Sequence, residues 1–474
     1  MTVFKQVLFV LLCLHIVAGF GGLTRLRIQQ QTREELSEDG KKTFDKHQKA
    51  MEQLAKLSSQ VHGVKPPKDD DKLDMGPMSN PSMYQGDMIL TEHQAGYLLN
   101  EAKMRLEAKN ANKTGPEAEK EIVSKLKKQR VFKKDSPFKW KFPIPYYYDG
   151  KVPQENVDKA IKGIEQETCI RFQKSQPFKD KAGLRIFPGN GCYAVVGNVA
   201  IDKPQDVSIG SGCDAFGLAQ HEISHALGIF HEQVRYDRDN YITVDMNSID
   251  PKMRYNFDKT SLANTETFGI PYDYGSVMHY PRYAFGTGDK LTMIPKNPLY
   301  LNSIGQGEKM QFNDAKALNL IYCKDKCKGG IKCSNGGYED PNRCGQCKCP
   351  FMLGGPTCSE VAKNPPECGQ GNSLVATAEE KTLDVKGAKK CIYEIKGNGK
   401  KVKIHIEEGS FTLKDVCNPE IALQIKYHKD KTLVGPTFCG RFSNKDLTSE
   451  DDRVLISYVA QSPQAFLKLK YKAV

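Results

Sequence analysis

The sequence predicts an α+β domain over residues 131–324, then a small disulfide-rich piece, then an all-β sandwich. Three observations carry this. Between 131 and 324, strand-like runs precede a helical pattern that bears three histidines. Between Cys327 and Cys358, six cysteines crowd into a stretch too short to bury a core. From Cys368 to Val474, polar and apolar residues alternate between turn residues.

With 474 residues, the chain is too long for a single ordinary domain. At its start, Lys5 precedes an apolar run from Val7 to Val17, and Ala18, Gly19, Gly21 and Gly22 follow. This pattern predicts a secretory signal peptide over 1–18. The run is too short to span a bilayer, and no later run is long enough, so no transmembrane span is expected. Of the fifteen cysteines, Cys13 leaves with the leader, and the even remainder all follow residue 168. Such clustering predicts disulfides and an oxidising, extracellular location. The net charge of +12 raises nucleic acid as a partner. Export and the absence of any nucleic-acid motif exclude it, leaving solubility or attachment to acidic matrix.

Residues 19–130 are rich in Lys, Glu and Gln and read as a propeptide. Glu34–Leu57 and Glu92–Ala108 have helix-forming composition, while Lys65–Pro81 is rich in Pro, Asp and Lys and reads as loose. The segment ends at Lys127-Lys128-Gln129-Arg130, a basic cluster suited to an activating protease of trypsin or furin type. Asn112-Lys113-Thr114 is a glycosylation sequon in the part that would be removed.

Residues 131–324 contain strand-like runs at Gly183–Phe187 and Cys192–Ile201 and a closing helix at Asn313–Tyr322, with Asn313 or Asp314 as its cap. Between them lies His221-Glu222-Ile223-Ser224-His225-Ala226-Leu227-Gly228-Ile229-Phe230-His231. Its first two histidines are four residues apart, one helical turn, and so share a face. Gly228 permits positive φ, which ends the helix and swings His231 back as a third nitrogen ligand. Three protein ligands leave one position open, the layout of a catalytic zinc. Glu222 is placed to act as general base. A structural zinc would need a fourth Cys or His ligand, and none lies near the motif.

Cys327, Cys333, Cys344, Cys347, Cys349 and Cys358 form the disulfide-rich piece, residues 325–359. Zinc binding through the C-x-x-C at Cys344 and Cys347 is the alternative; pairing all six is preferred in a secreted chain. In the sandwich, residues 368–474, strands are expected at Lys401–Glu407, Ile421–Tyr427, Val454–Val459 and Ala465–Tyr471, with four cysteines in two bridges.

The histidine motif continues as His231-Glu232-Gln233-Val234-Arg235-Tyr236-Asp237-Arg238-Asp239, and Tyr274-Gly275-Ser276-Val277-Met278-His279-Tyr280 follows some forty residues later. Together these resemble the astacin family of zinc endopeptidases, metzincins with a two-lobed α+β catalytic domain. The disulfide-rich piece resembles an EGF-like domain and the sandwich a CUB domain, an order similar to that of nematode astacins. The resemblance implies one Zn2+ per subunit on His221, His225 and His231, with Glu222 as general base and then general acid. It implies Tyr280 as an additional ligand that swings away to stabilise the oxyanion, Met278 as the Met-turn residue beneath the metal, and Glu232 as the partner of the new N-terminus. Counting back from Trp140 puts the activation cut between Arg130 and Val131. Tyr84-Gln85-Gly86-Asp87-Met88 resembles the F-x-G-D motif, with Tyr84 for Phe, which implies that Asp87 is the zymogen zinc switch. The family implies the bridges Cys169–Cys323, Cys192–Cys213, Cys349–Cys358, Cys368–Cys391 and Cys417–Cys439, and an edge strand at Cys192-Tyr193-Ala194-Val195-Val196-Gly197 on which substrate lies. The segment Cys417-Asn418-Pro419-Glu420-Ile421 lacks the tyrosine–aspartate pattern of calcium-binding CUB domains, and the EGF-like piece lacks their acidic counterpart, so calcium is not expected.

The expected function is a secreted zinc metalloendopeptidase made as a zymogen. Its substrates would be extracellular proteins, matrix or cuticle collagen among them. The alternative is a non-catalytic matrix-binding protein built on EGF-like and CUB modules; loss of Glu222 or a histidine would have pointed there, and all are present. Lys296 and Lys309 are candidates for a basic subsite residue.

Overall fold

The computed structural model describes residues 25–63, 76–113, 115–128, 139–251, 253–261, 266–286, 290–369 and 371–474. The leader over 1–18, the cleavage pair Arg130 and Val131, and Thr114 of the sequon lie outside the described residues; Asn112 itself is exposed. No helix among the described residues is long and apolar enough to cross a membrane.

The helices are α1 (Arg25–Glu35), α2 (Glu38–His62), α3 (Glu92–Asn110), α4 (Pro116–Lys128), α5 (Gln154–Glu167), α6 (Phe216–Ala226) and α7 (Phe312–Tyr322). The helix expected at Glu34–Leu57 is broken at Leu36–Ser37, because the Ser37 hydroxyl accepts the Gly40 N–H and starts a new helix there. At α7 the cap is Gln311, not Asn313 or Asp314. Asp314 sits one turn in and accepts the Gln311 N–H at 2.8 Å.

The first sheet contains β1 (Met88–Ile89), β2 (Ile144–Tyr148), β3 (Phe172–Lys174), β4 (Gly183–Phe187), β5 (Cys192–Val195) and β6 (Pro204–Ile209), in the order β1-β5-β6-β4-β2-β3. The run Cys192–Ile201 splits, with β5 ending at Val195; β6, its antiparallel partner, went unread because Pro204 and Asp206 mask its pattern. Helices α5 and α6 pack with this sheet around a core that includes Ile161, Ile164, Ile186, Val207, Ala219 and Ile223. The second lobe is mostly turns, with the two-stranded pair β7 (Ile242–Val244) and β8 (Met293–Pro295) and helix α7. Cys169–Cys323 ties the end of α7 to the first lobe, and Cys192–Cys213 closes β5 and β6.

The disulfide-rich piece is two short hairpins, β9 (Tyr338–Glu339) with β10 (Cys347–Lys348) and β11 (Leu353–Gly354) with β12 (Glu360–Val361). Its bridges are Cys327–Cys344, Cys333–Cys347 and Cys349–Cys358, so the C-x-x-C pair is consumed by two different disulfides.

The C-terminal sandwich has strands β13 (Ser373–Val375), β14 (Lys381–Lys386), β15 (Lys390–Lys396), β16 (Val402–Ser410), β17 (Leu423–Lys426), β18 (Thr437–Phe438), β19 (Arg441–Thr448), β20 (Arg453–Val459) and β21 (Phe466–Ala473). They form sheets β13-β15-β20-β17-β18 and β14-β21-β16-β19. Along β21, Leu467, Leu469, Tyr471 and Ala473 point inward while Lys468, Lys470 and Lys472 are partly exposed, the two-residue alternation of a half-buried strand. Cys368–Cys391 and Cys417–Cys439 bridge the sandwich.

Candidate metal centre and active site

Helix α6 is buried almost all round; Gly217 and every residue from Ala219 to Ala226 are enclosed. Trp140 Nε1 donates to Ala226 O and Tyr322 Oη to Leu227 O, both at 2.8 Å, satisfying carbonyls left open at the helix end. Gly228 then takes φ 96°, a left-handed value that lets the chain turn back. His231 thereby faces His221 and His225.

The three imidazoles are held by their outer nitrogens. His221 Nδ1 donates to Val277 O at 2.8 Å, His225 Nδ1 to Ile229 O at 2.7 Å, and His231 Nδ1 to the Gln85 side-chain oxygen at 2.8 Å. With Nδ1–H committed outward, each Nε2 carries a lone pair toward the centre. His221 Nε2 and His231 Nε2 stand 3.2 Å apart. Asp87 enters the same space, its carboxylate 3.0 Å from His231 Nε2, 3.4 Å from His221 Nε2 and 3.6 Å from His225 Nε2. All four ligand atoms lie within 4.8 Å of one another, and all four residues are buried. His225 Nε2 and Asp87 Oδ1 have no hydrogen-bond partner. Converging lone pairs and an anion, buried without donors, need a cation among them, and three nitrogens with one carboxylate suit zinc.

Electrostatics agree. Burial lowers the pKa of His225 and His231, keeping both rings neutral as ligands must be. Burial opposes ionisation of Asp87, but its close approach to the histidine rings, His231 foremost, outweighs that and holds the carboxyl well below its usual range. Glu222 is fully buried, neither carboxylate oxygen has a hydrogen-bond partner, and burial followed by the charge of Asp87 raises its pKa well above normal.

Asp87 is delivered by a tight reversal. Tyr84 and Met88 exchange backbone hydrogen bonds of 2.9 and 3.0 Å, with Gln85, Gly86 and Asp87 at the tip. Gly86 has φ 79°, and a Cβ there would lie 2.5 Å from Met78 O. The tip is fastened twice more: Gln85 N donates to Asn256 Oδ1 at 2.8 Å, and the Tyr280 hydroxyl donates to Gln85 O. Tyr280 thus fastens this segment while its ring lies against His231, with centroids 4.5 Å apart. Downstream, β1 runs parallel to β5, with Met88 opposite Ala194 and Ile89 opposite Val195, so the expected substrate strand is already occupied.

The remaining sequence-derived residues are placed as follows. Met278 is buried in the core that also holds Ile223 and Ala226 of α6, and its carbonyl accepts the Glu232 N–H at 3.0 Å. Glu232 is half-buried, and its desolvation pushes the carboxyl up to about 8; it accepts the Asp273 N–H at 2.8 Å and pairs with Arg235 at 3.1 Å. Lys309 pairs with Glu420 of the sandwich at 3.2 Å. The Lys296 N–H donates to Tyr241 O. Three contributors escaped the sequence reading. Gln85 and Asn256 fix the Asp87 turn, and Asp206 anchors the N-terminal helices. Asp206 accepts from Ser37 N at 3.1 Å and Ser37 Oγ at 2.8 Å while pairing with Arg185 at 2.9 Å. Nothing in the local sequence marks these residues, since their partners lie far away in the chain.

Comparison with known proteins gives the same reading. The model of the astacin peptidase family matches residues 132–323, and the CUB domain model matches residues 375–466. Zinc metalloproteinase nas-34 of Caenorhabditis elegans is 33% identical over 434 residues, covering 89% of this chain and 70% of the relative. Zinc metalloproteinase nas-30 of the same organism is 34% identical over 378 residues; the match takes in 79% of this chain but 48% of that one, about half its length. Among solved structures, high choriolytic enzyme 1, a hatching enzyme zinc-protease from Oryzias latipes, has 33% identity over 40% of this chain and 96% of its own, with a TM-score of 0.36. The chain belongs to the astacin family of zinc metallopeptidases and carries a CUB domain at its C-terminal end.

Proposed function

We propose that the chain is a secreted zymogen whose mature form hydrolyses peptide bonds of extracellular proteins. In this reading residues 1–18 are the leader, 19–130 the propeptide, 131–324 the catalytic domain, 325–359 an EGF-like domain and 368–474 the CUB domain. An activating protease cuts after Arg130, and Asn112 carries glycan in the precursor. The observation that carries the proposal is the convergence of three Nε2 lone pairs beside the bare carboxylate of Glu222.

His221, His225 and His231 hold the zinc in the mature enzyme, with Asp87 as the fourth ligand of the precursor. Bound there, zinc would supply Lewis acidity toward water and the scissile carbonyl. Glu222 accepts the attacking water's proton at its free carboxylate and hands it to the leaving amine. Its unpartnered oxygens suit this role, because no hydrogen bond has to break first. Tyr280 exchanges Gln85 O for the developing oxyanion and donates its O–H there. Substrate takes the place of β1 along β5, using the backbone groups that Asp87 and Ile89 occupy now. The disulfides and the absence of any membrane-spanning helix among the described residues support the extracellular setting.

Treatment with phenanthroline tests the reading. Casein hydrolysis by the activated protein should vanish with chelator and return with added Zn2+, while serine-protease reagents leave it unchanged. Hydrolysis that persists in metal-free protein would overturn it.

A further inference from the structure

The CUB sandwich is not a free tether. Its β17–β18 loop, residues 427–436, is seated on the Asp273–Met278 turn of the catalytic domain. Val434 is 5% exposed and lies flat on Gly275, where an added Cβ would come within 2.4 Å of the valine Cβ. Val434 N donates to both carboxylate oxygens of Asp273, at 3.2 and 3.4 Å, and Val434 O accepts the Tyr300 hydroxyl at 3.2 Å. His428 Nε2 lies 3.0 Å from that same hydroxyl. Beside the loop, Thr437 N donates to Ser303 Oγ at 2.9 Å, Cys417 N to Asn302 O at 2.7 Å, and Arg282 pairs with Asp415 at 2.6 Å.

Asp273 is a hub. It is 2% exposed and also accepts from Gly275 N at 3.1 Å and Asn313 Nδ2 at 2.9 Å, while its own N–H donates to Glu232. The turn it anchors presents Val277 O, the acceptor that sets the tautomer and ring direction of His221. The loop is equally fixed from within the sandwich. Lys431 Nζ, with its side chain 1% exposed, donates to Asp451 Oδ1 and Arg453 O at 2.8 Å each, and to His428 O. Lys426 Nζ donates to Lys431 O at 2.9 Å.

We propose that the CUB loop 427–436 is a positioning element for the metal centre, acting through Val434, Asp273 and Val277 O on His221. This rests on the peptidase reading, and it assigns the CUB domain a role in the activity of the cleft itself. A strut pinned at Lys431 and seated on Gly275 limits how far the turn can relax, and so how far the His221 ring can rotate. Val434 and Lys431 are positioning residues: neither touches a histidine.

The test uses the full chain after removal of the N-terminal segment, with a short quenched peptide that fills only the cleft. Three variants are compared: Val434→Ala, Lys431→Met and Leu467→Ala. The last lies in the opposite sheet and only weakens the sandwich core. The first two should lower kcat about 10-fold with KM unchanged, the low end of the roughly 10- to 100-fold loss seen when a metal ligand's orienting partner is altered. They should also speed zinc transfer to excess dipicolinate by a similar factor. Leu467→Ala should lower the melting temperature at least as much, yet leave kcat and zinc transfer at the wild-type values. Unchanged kcat and zinc transfer in Val434→Ala and Lys431→Met, or equal losses in Leu467→Ala, would overturn the proposal. A wild-type protein without turnover would instead sink the peptidase reading, and zinc transfer rates would still judge the strut.

Discussion

Replacing Asp87 by Ala removes the carboxylate that contacts all three histidines at 3.0–3.6 Å in a fully buried pocket. A charge-assisted contact contributes roughly 1.5–3 kcal/mol, and breaking a buried ion pair costs about 3–5 kcal/mol. The other fastenings stay in place: the β1–β5 ladder, the Gln85–Asn256 bond and the Tyr280–Gln85 bond. A net loss of about 3 kcal/mol corresponds to about a hundredfold rise in the open population. The uncleaved Asp87→Ala precursor should therefore hydrolyse a quenched peptide one to two orders of magnitude faster than the uncleaved wild type, yet more slowly than the mature enzyme. The assay is run with serine-protease inhibitors present and checked by gel for an intact chain. A variant precursor as silent as the wild type, with zinc still bound, would refute the switch.

Further tests reach the supporting contacts. Gly40→Ala would set a Cβ 2.0 Å from Asp206 Oδ2, so the α2 anchor should weaken by about 1–3 kcal/mol, read as faster proteolysis of residues 25–63 in the intact precursor. Equal proteolysis rates would argue against that anchor. His62 Nε2 lies 2.8 Å from Asp258 Oδ1, and its pKa is raised, chiefly by that hydrogen bond. A raised folded pKa means the contact stabilises fully below the ordinary value of 6.5 and is lost as pH climbs through the raised one. Both groups are about a third exposed, so the effect should stay below about 1 kcal/mol. Opening of the α2 end by hydrogen exchange should then increase modestly as pH rises past that window, and His62→Ala should abolish the change; an unaltered profile in the variant would contradict it. Tyr280→Phe should reduce kcat of the mature enzyme about 100- to 1,000-fold with little change in zinc content, as expected for loss of one oxyanion donor. Full kcat would remove Tyr280 from the mechanism.

The metal site was legible because its geometry is local. Two histidines one turn apart, a glycine that can reach φ 96° and a third histidine need no distant partner to be recognised. The Gly-Asp pair was legible too, since Gly86 and Asp87 sit together in one turn. What holds that turn was not. Asn256 lies 171 positions from Gln85, and a lone Asn within a turn-rich stretch carries no periodic signal. Asp206 reads as an ordinary acidic residue until Ser37 and Arg185 are found on it. Strand β6 was hidden by its proline and aspartate, and the cysteine spacing alone left the pairing of Cys327, Cys333, Cys344 and Cys347 open. The seating of the CUB domain depends on Gly275 and Val434, two small residues whose meaning arises only when they meet.

In the proposed mechanism Glu222 performs the proton transfers beside a metal held by His221, His225 and His231. The most direct measurement pairs zinc stoichiometry with turnover in activated Glu222→Ala. That variant should hold one zinc per chain, keep its melting temperature and lose hydrolysis about 100- to 10,000-fold. Zinc-loaded, folded Glu222→Ala that cleaves casein at the wild-type rate would contradict it.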